Sequence, residues 1–269
     1  PGVGKSTFIE SFGLHLISEN QKPTVLAIDP TSVFSHGSIL GDKTRMEKLS
    51  SHPHAFIRPS PAGDSLGGVA RKTKETILLC EAAGFNSILV ETVGVGQSEI
   101  AVHSMVDFFL LLLLPGAGDE LQGIKRGIVE TADMIAVNKA DGDREAAAKR
   151  AKKEYRNALH LFPPKASGWT PKVVTCAGLT GMGIKEIWKQ ITDYQTFTKK
   201  NHYFENNRTT QLKQWLFDTI DDRLRHTFFE NENVKNHLSE IEKGVVSKEI
   251  SFSKGADLLI QMFRDDVFK

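Results

Sequence analysis

The chain has 269 residues, with 34 Lys+Arg against 33 Asp+Glu, and hydrophobic residues make up 40% of it. Such near-cancellation of charge excludes a strong overall field that would draw the whole protein to nucleic acid or to an anionic membrane. The longest apolar run, Phe108 to Leu114, is far shorter than the roughly 20 residues that cross a bilayer, and the length suits one large α/β domain or a domain of about 200 residues with an appendage.

Taken in chain order, the first stretch is Pro1-Gly2-Val3-Gly4-Lys5-Ser6-Thr7, the back half of the pattern G-x-x-x-x-G-K-[ST]. In a phosphate-binding loop, glycines let the backbone curl so that its N–H groups and a helix N-terminus surround phosphate oxygens. The lysine then reaches the β/γ-phosphates and the Ser/Thr hydroxyl holds Mg²⁺. Pro1, Gly2, Val3, Gly4, Lys5, Ser6 and Thr7 are the candidates for that cradle, Lys5 is also a candidate for charge stabilisation, and a helix is expected from about Lys5 to Glu19. A glycine turn at a helix start is the competing reading. The pattern's first glycine falls before Pro1, so the chain reads as a fragment that starts inside the loop and lacks the strand leading into it.

Apolar runs then alternate with 3.6-periodic segments, the rhythm of a parallel sheet with crossover helices. Strands are expected at Thr24–Ile28, Ser87–Val90, the Phe108 run, Met134–Val137 and 172–175. Helices are expected over about 66–83, 98–105, 119–130, 143–161 and 184–198. All strands but the last run into Asp, Glu, Pro or Asn, and in open α/β sheets ligands bind beyond the carboxyl ends of the strands.

The first such residue is Asp29, a magnesium ligand, a turn cap or a ribose-binding acid; the Gly-Lys-Ser-Thr run argues against the last. Asp42 is equally a metal ligand or a helix N-cap. Glu91-Thr92-Val93-Gly94 follows the second strand: the carboxylate there can hold Mg²⁺ or its water, and Gly94 can give its N–H to a γ-phosphate. The competing reading is an ordinary strand-to-helix turn.

Beyond the third strand, 115–127 carries four glycines with Lys125 and Arg126, either a mobile loop reaching phosphate charge or a capped surface helix with solvated basic residues. Asn138-Lys139-Ala140-Asp141 follows the fourth. An aspartate there can accept two hydrogen bonds from guanine N1–H and its exocyclic amine, whereas adenine would leave the carboxylate unpaired. At a strand end, downstream of a phosphate loop, this favours guanine selection over a solvated Asn-Lys-Asp turn.

Cys80 and Cys176 lie in hydrophobic stretches without metal spacing and read as buried. The histidines form no metal pair, and Ser98 is not in G-x-S-x-G. After about Tyr203 only helical periodicity remains, so the chain is read as a G domain over 1–203 and a helical appendage over 204–269.

The segments PGVGKSTFIE, LAIDPTS, GSILGDKTRM, FIRPSPAGDSLGGVAR, ILVETVGVGQSE, GAGDELQGIKRG and VNKADGD together closely resemble the MeaB/ArgK/MMAA family of G-proteins. The resemblance implies an α/β P-loop NTPase fold of the signal-recognition-particle-like class, with a mostly parallel sheet and a C-terminal α-helical dimerisation arm. It implies a Mg²⁺-dependent GTPase that chaperones an adenosylcobalamin-dependent acyl-CoA mutase such as methylmalonyl-CoA mutase, cobalamin belonging to the partner, with GTP/GDP and Mg²⁺ as cofactors. Ser6, Asp29, Asp42 and Glu91 then resemble metal and switch residues, and Gln122 and Lys125 resemble residues of partner-stimulated hydrolysis. Ala177-Gly178-Leu179 stands where close relatives have Ser-Ala-Leu beside the base. The resemblance also implies a homodimer that binds neither nucleic acid nor membrane, in bacterial cytoplasm or the mitochondrial matrix. Kinase action linked to arginine/ornithine transport and metal delivery are the rival readings.

Overall fold

Every strand pairing in the computed structural model is parallel; residues 2–28, 46–60, 66–92, 102–116 and 126–267 are described. Strand β1 (Pro23–Ile28) lies between β2 (Phe56–Ser60) and β3 (Ser87–Thr92), with Val25 opposite both Ile57 and Leu89. Strand β5 (Met134–Val137) lies between β4 (Leu110–Leu113) and β6 (Lys172–Thr175), with Ala136 opposite Leu112 and Val174. Parallel neighbours need long crossovers. Among the described residues these carry α2 (Glu47–Ser50), α3 (Leu66–Ala82), α4 (Arg126–Thr131) and α5 (Glu145–Leu159), while α1 (Lys5–Ser18) precedes β1 and α6 (Ile184–Lys200) follows β6.

The period of two along β5 sends its side chains into two cores. Met134 and Ala136 join Val25 and Ile57 of the other sheet, Phe8, Phe12 and Leu16 of α1 and Ile187 of α6. Ile135 and Val137 face Val129 of α4 and Ala148, Ala151 and Tyr155 of α5. All four β5 side chains are fully buried, which explains why the sequence there is an unbroken apolar run. Ile88, Leu89 and Val90 of β3 and Leu110 to Leu112 of β4 are only half-buried. Each of those two strands is hydrogen-bonded to a neighbour on one side only among the described residues.

Helices α1, α3 and α6 and strands β1, β3, β5 and β6 match their sequence expectations within two residues at each end. Two elements go beyond the sequence reading. Strand β2 contains Arg58 and Pro59, which interrupt an apolar pattern; it is tolerated because β2 is an outer strand of its sheet, where a missing N–H costs little. The short α2 is fixed by packing, with Leu49 fully buried against α1. The 143–161 helix resolves into a 3₁₀ turn, Gly142–Arg144, followed by α5. Residues 98–101 of the 98–105 helix lie outside the described residues, with helix at 102–103 and a turn at 104–105, and the front of the 119–130 helix also lies outside them.

The chain divides into two compact units, Pro1–Lys213 and Gln214–Lys269, the division falling inside α7 (Tyr203–Glu230). In the second unit α8 (Glu232–Val246) and α9 (Phe252–Val267) form an antiparallel pair. Asn231 caps α8 by accepting from Val234 N and donates to Asp266 at the far end of α9, 2.8 Å away. Gly255 lets α9 approach α8 closely, because a Cβ there would sit 3.0–3.1 Å from Val245 and Ile241. Phe228 of α7 meets Phe263 of α9 at 5.3 Å between ring centroids. No helix among the described residues is long and apolar enough to cross a membrane.

Candidate nucleotide-binding site

Three strand ends and one helix start converge in the first unit. Gly2 and Gly4 take φ of +79° and +85°, a region that side-chain-bearing residues rarely enter, and they turn the chain into α1. Gly4 is the N-cap of α1 and offers no side-chain cap, so the first N–H groups of a 14-residue helix are left to an external acceptor. Backbone amides and the positive end of the helix dipole here form an anion cradle. Lys5, Ser6 and Thr7 make up its first turn.

Asn138 holds this cradle against the end of β5. Its Nδ2 donates to Val3 O at 2.8 Å, and its Oδ1 accepts from Gly178 N at 3.0 Å and, more weakly, from Cys176 Sγ at 3.6 Å. The side chain is 2% exposed, so both ends of its amide are used as a buried amide requires. Lys139, at φ +57°, sends Nζ to Gly2 O at 2.8 Å. Two consecutive residues thus hold two carbonyls of the glycine loop. A Cβ on Gly4 would lie 3.1 Å from Asn138 Nδ2, which is why the loop comes so near.

Asp141 follows in extended conformation at the start of the 3₁₀ turn and makes no capping hydrogen bond, which leaves its half-exposed carboxylate available. Beside it, the loop after β6 is bound in three ways. Ala140 N donates to Cys176 O at 3.0 Å, Ser11 Oγ of α1 donates to Gly178 O, and Ala177 bridges Met182. Gly178 is required by contact: a Cβ would sit 2.9 Å from Phe8 Cα. Leu179 beyond it is 84% exposed.

At the end of β3, Glu91 is buried and its Oε1 accepts from Ser6 Oγ at 3.4 Å. A hydroxyl and a carboxylate side by side at the mouth of a phosphate cradle are the hard oxygen donors that Mg²⁺ takes, so the residues present fit that ion. Cys176, beside Asn138, has its thiol pushed up to about 12 by burial, which makes it an inert packing group; Cys80 is likewise buried. No cluster of three or more metal-ligating side chains occurs among the described residues.

The structure therefore brings together Gly2, Val3, Gly4, Lys5, Ser6, Thr7, Glu91, Asn138, Lys139, Asp141, Ala177, Gly178 and Leu179, all named from the sequence. Pro1, Asp29, Asp42, Gly94, Gln122 and Lys125 lie outside the described residues. Sequence reasoning missed the part of Ser11, whose hydroxyl holds Gly178; nothing marks a serine in mid-helix until the neighbouring loop is in place. It also missed the structural use of Asn138 and Lys139, since contacts across more than 130 positions leave no local pattern.

A glycine loop opening a helix, an Asn-Lys-x-Asp turn and a carboxylate at a neighbouring strand end, all on a parallel α/β scaffold, define a P-loop GTPase. The family model described as methylmalonyl Co-A mutase-associated GTPase MeaB matches residues 1–233, and the chain belongs to that family. GTP hydrolysis is its class of reaction. A relative from Caulobacter vibrioides is 50% identical over 263 residues, covering 98% of this chain and 80% of its own. The mouse methylmalonic aciduria type A homolog, mitochondrial, is 46% identical over 264 residues, 98% of this chain and 64% of the relative. Among solved structures, that of an LAO/AO transport system kinase superposes with a TM-score of 0.72 at 36% identity, covering 98% of this chain and 79% of that one.

Proposed function

We propose that the protein is a Mg²⁺-dependent GTPase that serves as chaperone to an adenosylcobalamin-dependent acyl-CoA mutase, coupling GTP hydrolysis to loading and protection of the partner's cofactor. The observation that carries the nucleotide half is the Asn138–Val3 bond, which joins the guanine-side turn to the phosphate-side loop in one rigid piece. The mutase half rests on the family description and on the mouse relative's name.

In this reading the α1 N-terminus and the Gly2–Gly4 amides bind phosphate oxygens, and Lys5 places its ammonium on the β/γ bridge. Asp141 accepts from guanine N1–H and the exocyclic amine, while the loop at Ala177, Gly178 and Leu179 borders the base. Ser6 and Glu91 are the described residues that would hold Mg²⁺, with Asp29 and Asp42 as further ligands; the ion supplies neutralisation of charge on the β- and γ-phosphate oxygens. Gly94 gives its N–H to the γ-phosphate, and Gln122 and Lys125 act in hydrolysis stimulated by the partner. The helical region after 203 is the arm through which the protein forms a homodimer.

Titration with GDP and ADP tests the guanine assignment, and equal affinities overturn it. Turnover measured with and without a methylmalonyl-CoA mutase tests the partner; a rate that ignores the mutase removes the chaperone reading but leaves the GTPase. If Lys125→Ala keeps full mutase-stimulated turnover, its role is withdrawn. A transport-linked kinase, the rival reading, requires an acceptor substrate and a base for its hydroxyl.

A further inference from the structure

Gly178 has both of its backbone polar groups held by side chains from other elements of the first unit. Its N–H donates to Asn138 Oδ1 at 3.0 Å, and its carbonyl accepts from Ser11 Oγ of α1. Phe8, one turn before Ser11 on the same helix face, lies so close that a Cβ on Gly178 would meet Phe8 Cα at 2.9 Å. Ser11 also uses its hydroxyl differently from other helical residues of this chain. Thr196, Thr198, Thr209, Thr210 and Thr219 return theirs to the carbonyl four residues earlier. Ser11 sends its hydroxyl across to a loop 167 positions away.

That bond fixes a peptide plane. In a trans peptide the C=O and the following N–H point in opposite directions, and no peptide bond among the described residues is cis. With Gly178 O turned onto α1, Leu179 N–H therefore points away from the helix. Ala177 N–H is taken by Met182 O at 2.9 Å and Gly178 N–H by Asn138, whereas Leu179 N–H has no partner among the described residues. The loop thus presents one free donor at a residue that is 84% exposed. Guanine carries an acceptor, O6, beside the two donors assigned to Asp141. Adenine carries an amine at that position and would face the Leu179 N–H donor to donor.

We propose that Ser11 is a positioning residue for base recognition: it holds the 178–179 peptide so that Leu179 N–H meets O6 of the bound guanine. The inference rests on the guanine-nucleotide reading above. Ser11 follows Lys5 by about 9 Å along the axis of α1, at the rise of an α-helix. One rigid helix then carries the phosphate cradle in its first turn and the anchor of the base loop in its second, so helix geometry sets the spacing between phosphate and base contacts.

The test measures the affinities of the whole protein for GDP and 6-thio-GDP. The thio nucleotide keeps both donors for Asp141 and replaces O6 by sulfur, a poor acceptor. Ser11→Ala is expected to weaken GDP about three- to tenfold, the size of one hydrogen bond, and 6-thio-GDP less than about twofold. Ser11→Thr keeps the hydroxyl and should hold GDP near the wild-type affinity. Equal losses for the two nucleotides, or no loss for GDP, overturn the proposal, the first because it would mean general loosening of α1. A second arm needs no nucleotide: Ser11→Ala should speed hydrogen exchange of the amides at 177, 178 and 181 about three- to tenfold while 134–137 stays protected. Unchanged exchange in that loop overturns the anchoring role. A wild type that binds neither nucleotide tells against the guanine reading instead, and the exchange arm still decides whether Ser11 holds the loop.

Discussion

Asn138 Nδ2 donates to Val3 O at 2.8 Å, although 135 positions separate them in the chain, and the same amide accepts from Gly178 N. One buried side chain therefore fixes the phosphate loop, the turn after β5 and the loop after β6 in a single arrangement. Asn138→Ala removes both links and leaves Val3 O and Gly178 N without their side-chain partner, at a cost of about 1–3 kcal/mol for each group that stays dry. The expected result is a lower thermal midpoint together with a loss of GDP affinity, read by calorimetry on one preparation. An unchanged midpoint would show that water takes over both groups.

Asp141→Asn exchanges an acceptor for a group that also donates. Asn Oδ1 can still accept from N1–H, but its Nδ2 then meets guanine's exocyclic amine, donor against donor, whereas xanthine presents a carbonyl there. Loss of about 1.5–3 kcal/mol, roughly 10- to 100-fold in affinity, is expected for GDP, with a gain for XDP. Competition between the two nucleotides measures it, and unchanged GDP affinity would place the base elsewhere.

Lys165 and Asp133 form an ion pair of 2.8 Å with side chains 16% and 9% exposed. Lys165 Nζ also donates to Thr131 O, Phe109 N to Asp133 Oδ2, and Trp169 Nε1 to Asp133 O. Lys165→Met leaves a buried carboxylate with one backbone donor and is expected to destabilise the first unit by about 3–5 kcal/mol. Asp133→Asn with Lys165→Met should recover part of that loss. Urea unfolding followed by tryptophan fluorescence reads both, and additive effects would argue against the pair as a unit.

Half-buried His103 has its pKa lowered, first by burial, with Lys165 acting in the same direction and Asp133 against it. The folded state thus holds this proton less tightly than the unfolded chain does. Stability is complete above the unfolded value near 6.5 and falls as pH drops through the window below it. The urea midpoint of the wild type should decline from pH 7 to 5.5 more steeply than that of His103→Gln. Parallel profiles would remove this group from the pH response.

Along α7 in the second unit, Leu216, Ile220 and Leu224 recur every four residues and are 59%, 41% and 63% exposed, with Phe217 beside them at 62%. A stripe of this kind on one helix face is the pattern of an association surface. Leu216→Asp with Ile220→Asp should convert a dimer into a single chain by light scattering while helicity holds; a wild type of one-chain mass would end the arm proposal.

Glycines, lysine and serine in fixed order, apolar runs that stop at acidic residues and an Asn-Lys-x-Asp turn are local features. Each follows from a backbone angle, a strand period or the chemistry of one side chain. They were sufficient to read β1, β3, β5, β6, α1 and α6, the class of ligand and the family. Strand β2 escaped because Arg58 and Pro59 hide it, and α2 because only its contact with α1 makes it a helix.

Within the first unit the sequence by itself determined which residues are candidates for the chemistry, because phosphate, guanine and Mg²⁺ each demand a particular atom type at a particular local spacing. Only the tertiary structure decided how those residues are held. The contacts Asn138 to Val3, Lys139 to Gly2, Ser11 to Gly178 and Arg208 to Asp107 and Glu81 join segments far apart in the chain. The energy of such contacts depends on burial and on a partner's placement in space, and neither leaves a period or a motif in the order of amino acids.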